Sequence, residues 1–204
     1  MNSEFDKIHN ELVNKCNLFP FIQNEIIKNG IITIKDSKLD LFAFLLQIII
    51  SQQISDKASK TIWKKLCEIC KTPSLKISNF PNIHSLKYAL DKVNIPMYKQ
   101  NYIIDLFKSV SKKKIDINKL ITMDEENIRA SIVKHKGLGP WTSDMFLIFY
   151  LKKKNVFPDK DLVIKKMKLK LEEKERRNIN FIENFSPFLS IFSLHLWKMS
   201  KRVL

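Results

Sequence analysis

Apolar residues recur at helical spacing along nearly all of this 204-residue chain, and only three glycines interrupt them. The pattern restricts the fold to packed α-helices. A half-buried strand needs alternation with a period of two, which the chain lacks over any long stretch. The spacing predicts roughly ten helices, over residues 3–15, 19–28, 40–52, 56–71, 84–93, 96–112, 125–135, 140–151, 161–171 and 187–203. Ser3, Ser55 and Asp124 stand where N-caps belong. Pro96 and Pro140 fall in first turns, and Gly30 follows a helix as a C-terminal stop. Residues 30–34 are the one β-like piece. The expected class is all-α.

At 45% hydrophobic residues the chain has ample material for a core. No apolar run reaches the ~18 residues of a membrane span. The opening MNSEFDKIHN carries acidic residues and no apolar h-region, so it does not read as a secretory signal. Cys16, Cys67 and Cys70 are an odd set that fits a reducing, intracellular compartment. Cys67 and Cys70 form a C-x-x-C inside an amphipathic helix, with no second pair to complete a metal site. The net charge is +15, from 36 basic and 21 acidic residues, which favours a polyanionic partner such as nucleic acid. Only four of the basic residues are Arg (Arg129, Arg176, Arg177 and Arg202). Richness in Lys, Ile and Asn also fits an AT-rich genome, so charge alone leaves both readings open. The runs Lys112–Lys114 and Lys152–Lys154 read as solvated helix ends.

Two of the three glycines, Gly137 and Gly139, sit two positions apart between two expected helices. Glycine permits positive φ and close approach of another backbone. The start of the second helix presents N–H groups at a positive dipole end, a setting suited to a phosphate. Leu138 would point back and pin the turn to the core. A plain helical hairpin with one C-cap glycine is the structural alternative, but it needs only one of the two.

The stretch KGLGPWTSDMF, residues 136–146, resembles the helix-hairpin-helix of the HhH-GPD superfamily of DNA glycosylases. It is most similar to the 3-methyladenine DNA glycosylase II, or alkylpurine, type. Three further blocks resemble the family in order and spacing. They are LLQIIISQQIS at 45–55, NVFPDKDL at 155–162 and SPFLSIFSLHLW at 186–197. The likeness covers about residues 40–199, and the first 38 match loosely. No counterpart of the extra N-terminal β domain of longer bacterial relatives is expected.

The resemblance implies a helix-hairpin-helix glycosylase fold of two helical lobes with a cleft between them. A central lobe of about residues 40–151 would face a second built from about 1–39 plus 152–204, with Asp161 at the cleft mouth. Lys136, Gly137, Leu138, Gly139 and Thr142 would form the DNA-phosphate hairpin, with Lys134 adding charge. Asp161 would be the catalytic aspartate that stabilises an oxocarbenium-like sugar and directs water. It could equally serve only as the N-cap of the next helix, and Asp159 lies off the family register. Trp141, Met145 and Trp197 would line the base pocket, where electron-rich rings attract a cationic alkylated purine. Trp141 and Trp197 could also be plain core residues. Gln52, Gln53 and Ile54 would supply the wedge, or simply end a buried helix. Met145 stands at an often aromatic position, Phe185 replaces a frequent Trp, and Leu189 stands where Arg is common; all three bear on substrate range.

Bifunctional relatives place a lysine nucleophile two residues past the second glycine, where this chain has Trp141. A monofunctional hydrolase acting on alkylated purines such as 3-methyladenine and 7-methylguanine is expected. No cysteine follows Cys70, so no iron–sulfur cluster is expected. No other cofactor is expected, apart from a monovalent cation on hairpin carbonyls. The expected partner is double-stranded DNA with damaged bases, bound by a monomer without membrane association. The expected location is the bacterial cytoplasm or nucleoid, or a eukaryotic nucleus. A glycosylase for another lesion, a non-catalytic DNA-binding protein and an all-helical interaction domain are the competing readings.

Overall fold

The computed structural model describes residues 4–204; the N-cap expected at Ser3 lies outside them. Among the described residues there are twelve α-helices. They are α1 (Glu4–Lys15), α2 (Pro20–Asn29), α3 (Leu41–Ser51), α4 (Asp56–Ile69), α5 (Ile83–Lys92), α6 (Met97–Ser111), α7 (Ile117–Leu120), α8 (Glu125–Val133), α9 (Pro140–Met145), α10 (Leu162–Glu175), α11 (Phe181–Phe185) and α12 (Leu189–Val203). The protein is all-α. Residues 30–34 form no strand; the segment is irregular, and Ile34 is buried.

Two helix expectations need correction, and three short elements were not expected. The helix expected over 140–151 keeps α geometry only to Met145 and continues as a π-helical turn, Phe146–Tyr150. The helix expected from Pro187 begins two residues later, at Leu189. The short helices α7 and α11, and a 3₁₀ turn at Ile77–Asn79, carry too few residues to show a period.

The chain divides into two compact units. One comprises Asp36–Phe146 and contains α3 to α9. Its centre is α3, where every residue from Leu41 to Ile50 is buried except Gln47. A helix apolar on all sides can only sit inside, and α4 and α6 pack on it. Asp40 caps α3 through Ala43 N at 2.8 Å, and its second oxygen accepts from Ile77 N at 2.8 Å. That one carboxylate fixes the entry of α3 and the turn after α4. Truncating a buried α3 residue such as Leu46 to Ala would cost about 2–5 kcal/mol.

The other unit joins Met1–Lys35 to Leu147–Leu204. There α2, α10 and α12 pack together, with α11 against α12. Its apolar centre includes Phe185 and Phe192, stacked at 3.8 Å between ring centroids. Its polar centre is less usual. Fully buried His195 accepts a hydrogen bond at Nδ1 from the Asn29 amide at 3.1 Å, and the same amide donates to the His195 carbonyl at 3.1 Å. Asn29 Oδ1 in turn accepts from Arg202 at 2.9 Å, which fixes the amide's orientation.

Candidate active site

The two glycines of the hairpin stand in different settings. Gly137 has φ +82°, and a Cβ there would lie 2.5 Å from the Tyr102 ring. Its lack of a side chain is a folding requirement, set by a left-handed turn packed onto α6. Gly139 has an ordinary extended backbone, φ −89° and ψ −178°, and a Cβ there would meet nothing within 4 Å. Nothing inside the protein asks for glycine at 139.

A paired expectation follows. Gly137→Ala should lower folding stability by about 2 kcal/mol or more, through backbone strain and the clash with Tyr102. Gly139→Ala should leave the melting temperature unchanged and, if the hairpin meets a DNA phosphate as the resemblance implies, weaken binding to duplex DNA. Thermal melts beside fluorescence-anisotropy titrations decide the matter; full DNA affinity in a stable Gly139→Ala protein would remove the role assigned to that open position.

The hairpin is braced from several sides. Leu138 is buried. The Gln52 amide donates to the Gly137 carbonyl at 2.9 Å and approaches Thr142 Oγ1 at 3.4 Å. Arg129 of α8 pairs with Asp144 of α9 at 2.9 Å, tying together the two helices that flank the turn. Thr142 is buried, while Lys134 and Lys136 are exposed. His135 is half-buried; burial, and then Lys114, lowers its pKa, so it is neutral at pH 7. Beside the hairpin lies a groove of about 470 Å³ whose lining includes Tyr98, Tyr102, Lys87, Lys108 and Lys136. Trp141 is half-buried and Met145 is buried.

Of the three residues expected at the wedge, Gln52 is half-buried and engaged with the hairpin. Gln53 is exposed at φ 57°, a left-handed conformation, and Ile54 is 38% exposed. Ser55 then caps α4 through Ala58 N at 3.2 Å.

Asp161 is the N-cap of α10. Its Oδ1 accepts from Val163 N at 2.8 Å and Ile164 N at 2.9 Å. Trp197 Nε1 donates to the same oxygen at 3.2 Å, and the Trp197 ring stacks on Phe149 at 5.9 Å between centroids. Capping and the indole contact therefore coexist on one carboxylate. The loop before Asp161 is anchored by buried Ser190 of α12. Its Oγ donates to Lys153 O at 2.6 Å and accepts from Val156 N at 3.0 Å. Asp159, by contrast, is exposed and paired with Lys168 at 3.0 Å.

Sequence reasoning missed Tyr102, Phe149, Ser190 and the Arg129–Asp144 pair. Only the last left a signal. A carboxylate inside the run WTSDMFLIF cannot be buried without a cationic partner. Among the described residues, no cluster of three His, Cys, Asp or Glu could hold a metal. No described helix is long and apolar enough to cross a membrane.

Residues 46–177 match the family described as HhH-GPD superfamily base excision DNA repair protein. The chain belongs to the HhH-GPD superfamily. Saccharomyces cerevisiae DNA-3-methyladenine glycosylase is 28% identical over 225 residues, covering 90% of this chain and 75% of the yeast protein. Bacillus subtilis YfjP is 26% identical over 163 residues, covering 76% of this chain and 57% of that relative's length. The structure of Schizosaccharomyces pombe 3-methyladenine DNA glycosylase in complex with abasic DNA has a TM-score of 0.75 at 19% identity, covering 96% of this chain and 97% of that one. The fold is the helix-hairpin-helix DNA glycosylase fold.

Proposed function

We propose that the protein is a monofunctional DNA glycosylase that removes alkylated purines from duplex DNA. One observation carries the reading. The Asp161 carboxylate sits at the N-terminus of α10 with the Trp197 indole on the same oxygen, so a charge and an aromatic wall stand side by side. Excision from a duplex requires holding the backbone, filling the vacated stack, receiving the flipped base and breaking its bond to the sugar.

In this reading the hairpin takes a phosphate at the start of α9, where Gly139 leaves room, and the exposed Lys134 and Lys136 add salt-dependent affinity. Gln53 and Ile54 form the wedge tip, with Gln52 bracing it against the hairpin. Trp197, whose indole shares an oxygen of Asp161, stacks on the base. An N-alkylated purine is cationic, and breaking its C1′–N bond sends the bonding pair to the base, which leaves neutral. The charge remaining on the sugar is met by the Asp161 carboxylate. Water adds to C1′ and gives up its proton to the carboxylate or to solvent, leaving an abasic site. With Trp141 in the hairpin position of the lyase lysine, no amine stands there to attack the sugar. A monovalent cation, if bound at the hairpin, would use backbone carbonyls, since no side-chain cluster among the described residues offers ligands.

The fold itself does not set the lesion. Mass spectrometry of bases freed from methylated duplex DNA tests the reading, beside duplexes containing 8-oxoguanine, hypoxanthine or uracil. Release of 3-methyladenine or 7-methylguanine without strand scission is expected. Release of 8-oxoguanine alone, or a nicked strand, would replace it with a different specificity or with a lyase.

A further inference from the structure

Lys99 stands on α6 four residues before buried Ile103, at a core-facing position, and is itself only 3% exposed. Its ammonium donates to the carbonyls of Ile50 at 3.0 Å and Gln52 at 2.6 Å. Among the described residues no carboxylate pairs with it, and burial lowers its pKa. A Leu or Met could fill the same volume without the cost of desolvating a charge. The ammonium must therefore be explained by what it holds.

It holds the C-terminus of α3, where carbonyls lack helical partners and the dipole is negative. One of its two acceptors belongs to Gln52, and the next residue, Gln53, is exposed in a left-handed conformation that a residue with a Cβ adopts reluctantly. The Gln52 side chain is fixed separately on the Gly137 carbonyl, and Ser55 caps α4 immediately beyond. The Gln53–Ile54 tip is thus clamped at both ends.

We propose that Lys99 is a positioning residue for base displacement, holding the Gln52 carbonyl so that Gln53 and Ile54 present a rigid tip to the vacated stack. The proposal rests on the wedge role given to that tip above. A tip held in advance loses little conformational entropy when it inserts, whereas a loose one must be ordered at that moment.

The test uses the full chain and two readouts. The first is a duplex with 2-aminopurine opposite a tetrahydrofuran abasic analogue, whose fluorescence reports insertion and needs no chemistry. The second is single-turnover release of 7-methylguanine, placed opposite cytosine or opposite tetrahydrofuran. Lys99→Met should bind the duplex normally but lose most of the fluorescence change. It should release the paired base about tenfold more slowly and the unpaired base within about twofold of wild type, because unpairing lowers the cost of flipping. The double variant Gln53→Ala/Ile54→Ala should show the same pattern, and adding Lys99→Met to it should cause no further loss. If Lys99→Met does not fold, Lys99→Gln, uncharged and one bond shorter so that it cannot reach both carbonyls, should fold and show the same losses to a smaller degree. Equal slowing on both substrates, or an unchanged fluorescence response, overturns the proposal for Lys99. A tip variant that keeps the wild-type ratio and fluorescence overturns the wedge reading itself, whatever Lys99 does.

Discussion

Asp161→Asn should release free base from methylated duplex DNA about 10²–10³-fold more slowly than wild type, the loss typical of removing one stabilising group at a developing charge. It should bind the same duplex with unchanged affinity. The substitution is informative because of how the carboxylate is held. Oδ1 accepts from Val163 N, Ile164 N and Trp197 Nε1, and an asparagine can place its carbonyl oxygen at that point. The cap of α10 survives, so the fold does. What disappears is the negative charge that the proposed reaction sets against the sugar. Asp161→Ala would lose the cap as well, costing about 1 kcal/mol of stability and blurring the result. Single-turnover base release and anisotropy titrations, run side by side, separate the two effects. Equal rates for Asp161→Asn and wild type would move the chemistry to another residue.

Acid should destabilise the protein through His195. This imidazole is fully buried, and burial, followed by the charges of His9 and Lys198, brings its pKa from 6.5 down to about 3. Its Nδ1 accepts from Asn29, so the proton sits on Nε2, a buried nitrogen without a hydrogen-bond partner. A second proton would charge a site that offers nothing to receive it. The folded pKa lies below the unfolded one, so the unfolded chain binds more protons between the two values. Stability is complete above about pH 6.5 and falls as pH drops towards 3, by a few kcal/mol in all. The half-buried His9, whose pKa is also lowered by burial against the raising effect of Asp6, steepens the same limb. Urea unfolding at pH 7, 5 and 4 measures the slope. His195→Phe should flatten much of it, since Asn29 keeps its bond to the residue-195 carbonyl. A slope identical in His195→Phe and wild type would place the acid sensitivity elsewhere.

Much of the fold was legible because the relevant signals are local. The apolar stretch from Leu41 to Ile50 could only be an interior helix, and Ser55, Asp124 and Asp161 all accept the capping bonds their positions suggest. The hairpin at 137–139 was equally plain. What stayed hidden depends on distance along the chain. Gln52 reaches Gly137 across 85 residues, and Trp197 reaches Asp161 across 36. No period or propensity encodes such bonds. Lys99 was hidden for another reason: in so lysine-rich a chain, one more lysine reads as solvated surface, and only its register beside Ile103 hints otherwise. The two glycines looked alike because composition records that a side chain is missing, not what would have collided with it.

That difference matters for anyone who randomises this protein. A library sorted for expression, protease resistance or melting temperature would reject nearly every residue at 137 and accept almost any at 139. On the proposed function, a survival screen on alkylated cells would reject substitutions at both. If the hairpin takes a phosphate as proposed, position 139 is a place where damage to function goes unseen by any assay of foldedness, and where an intact, abundant, inert protein can be made with a single methyl group.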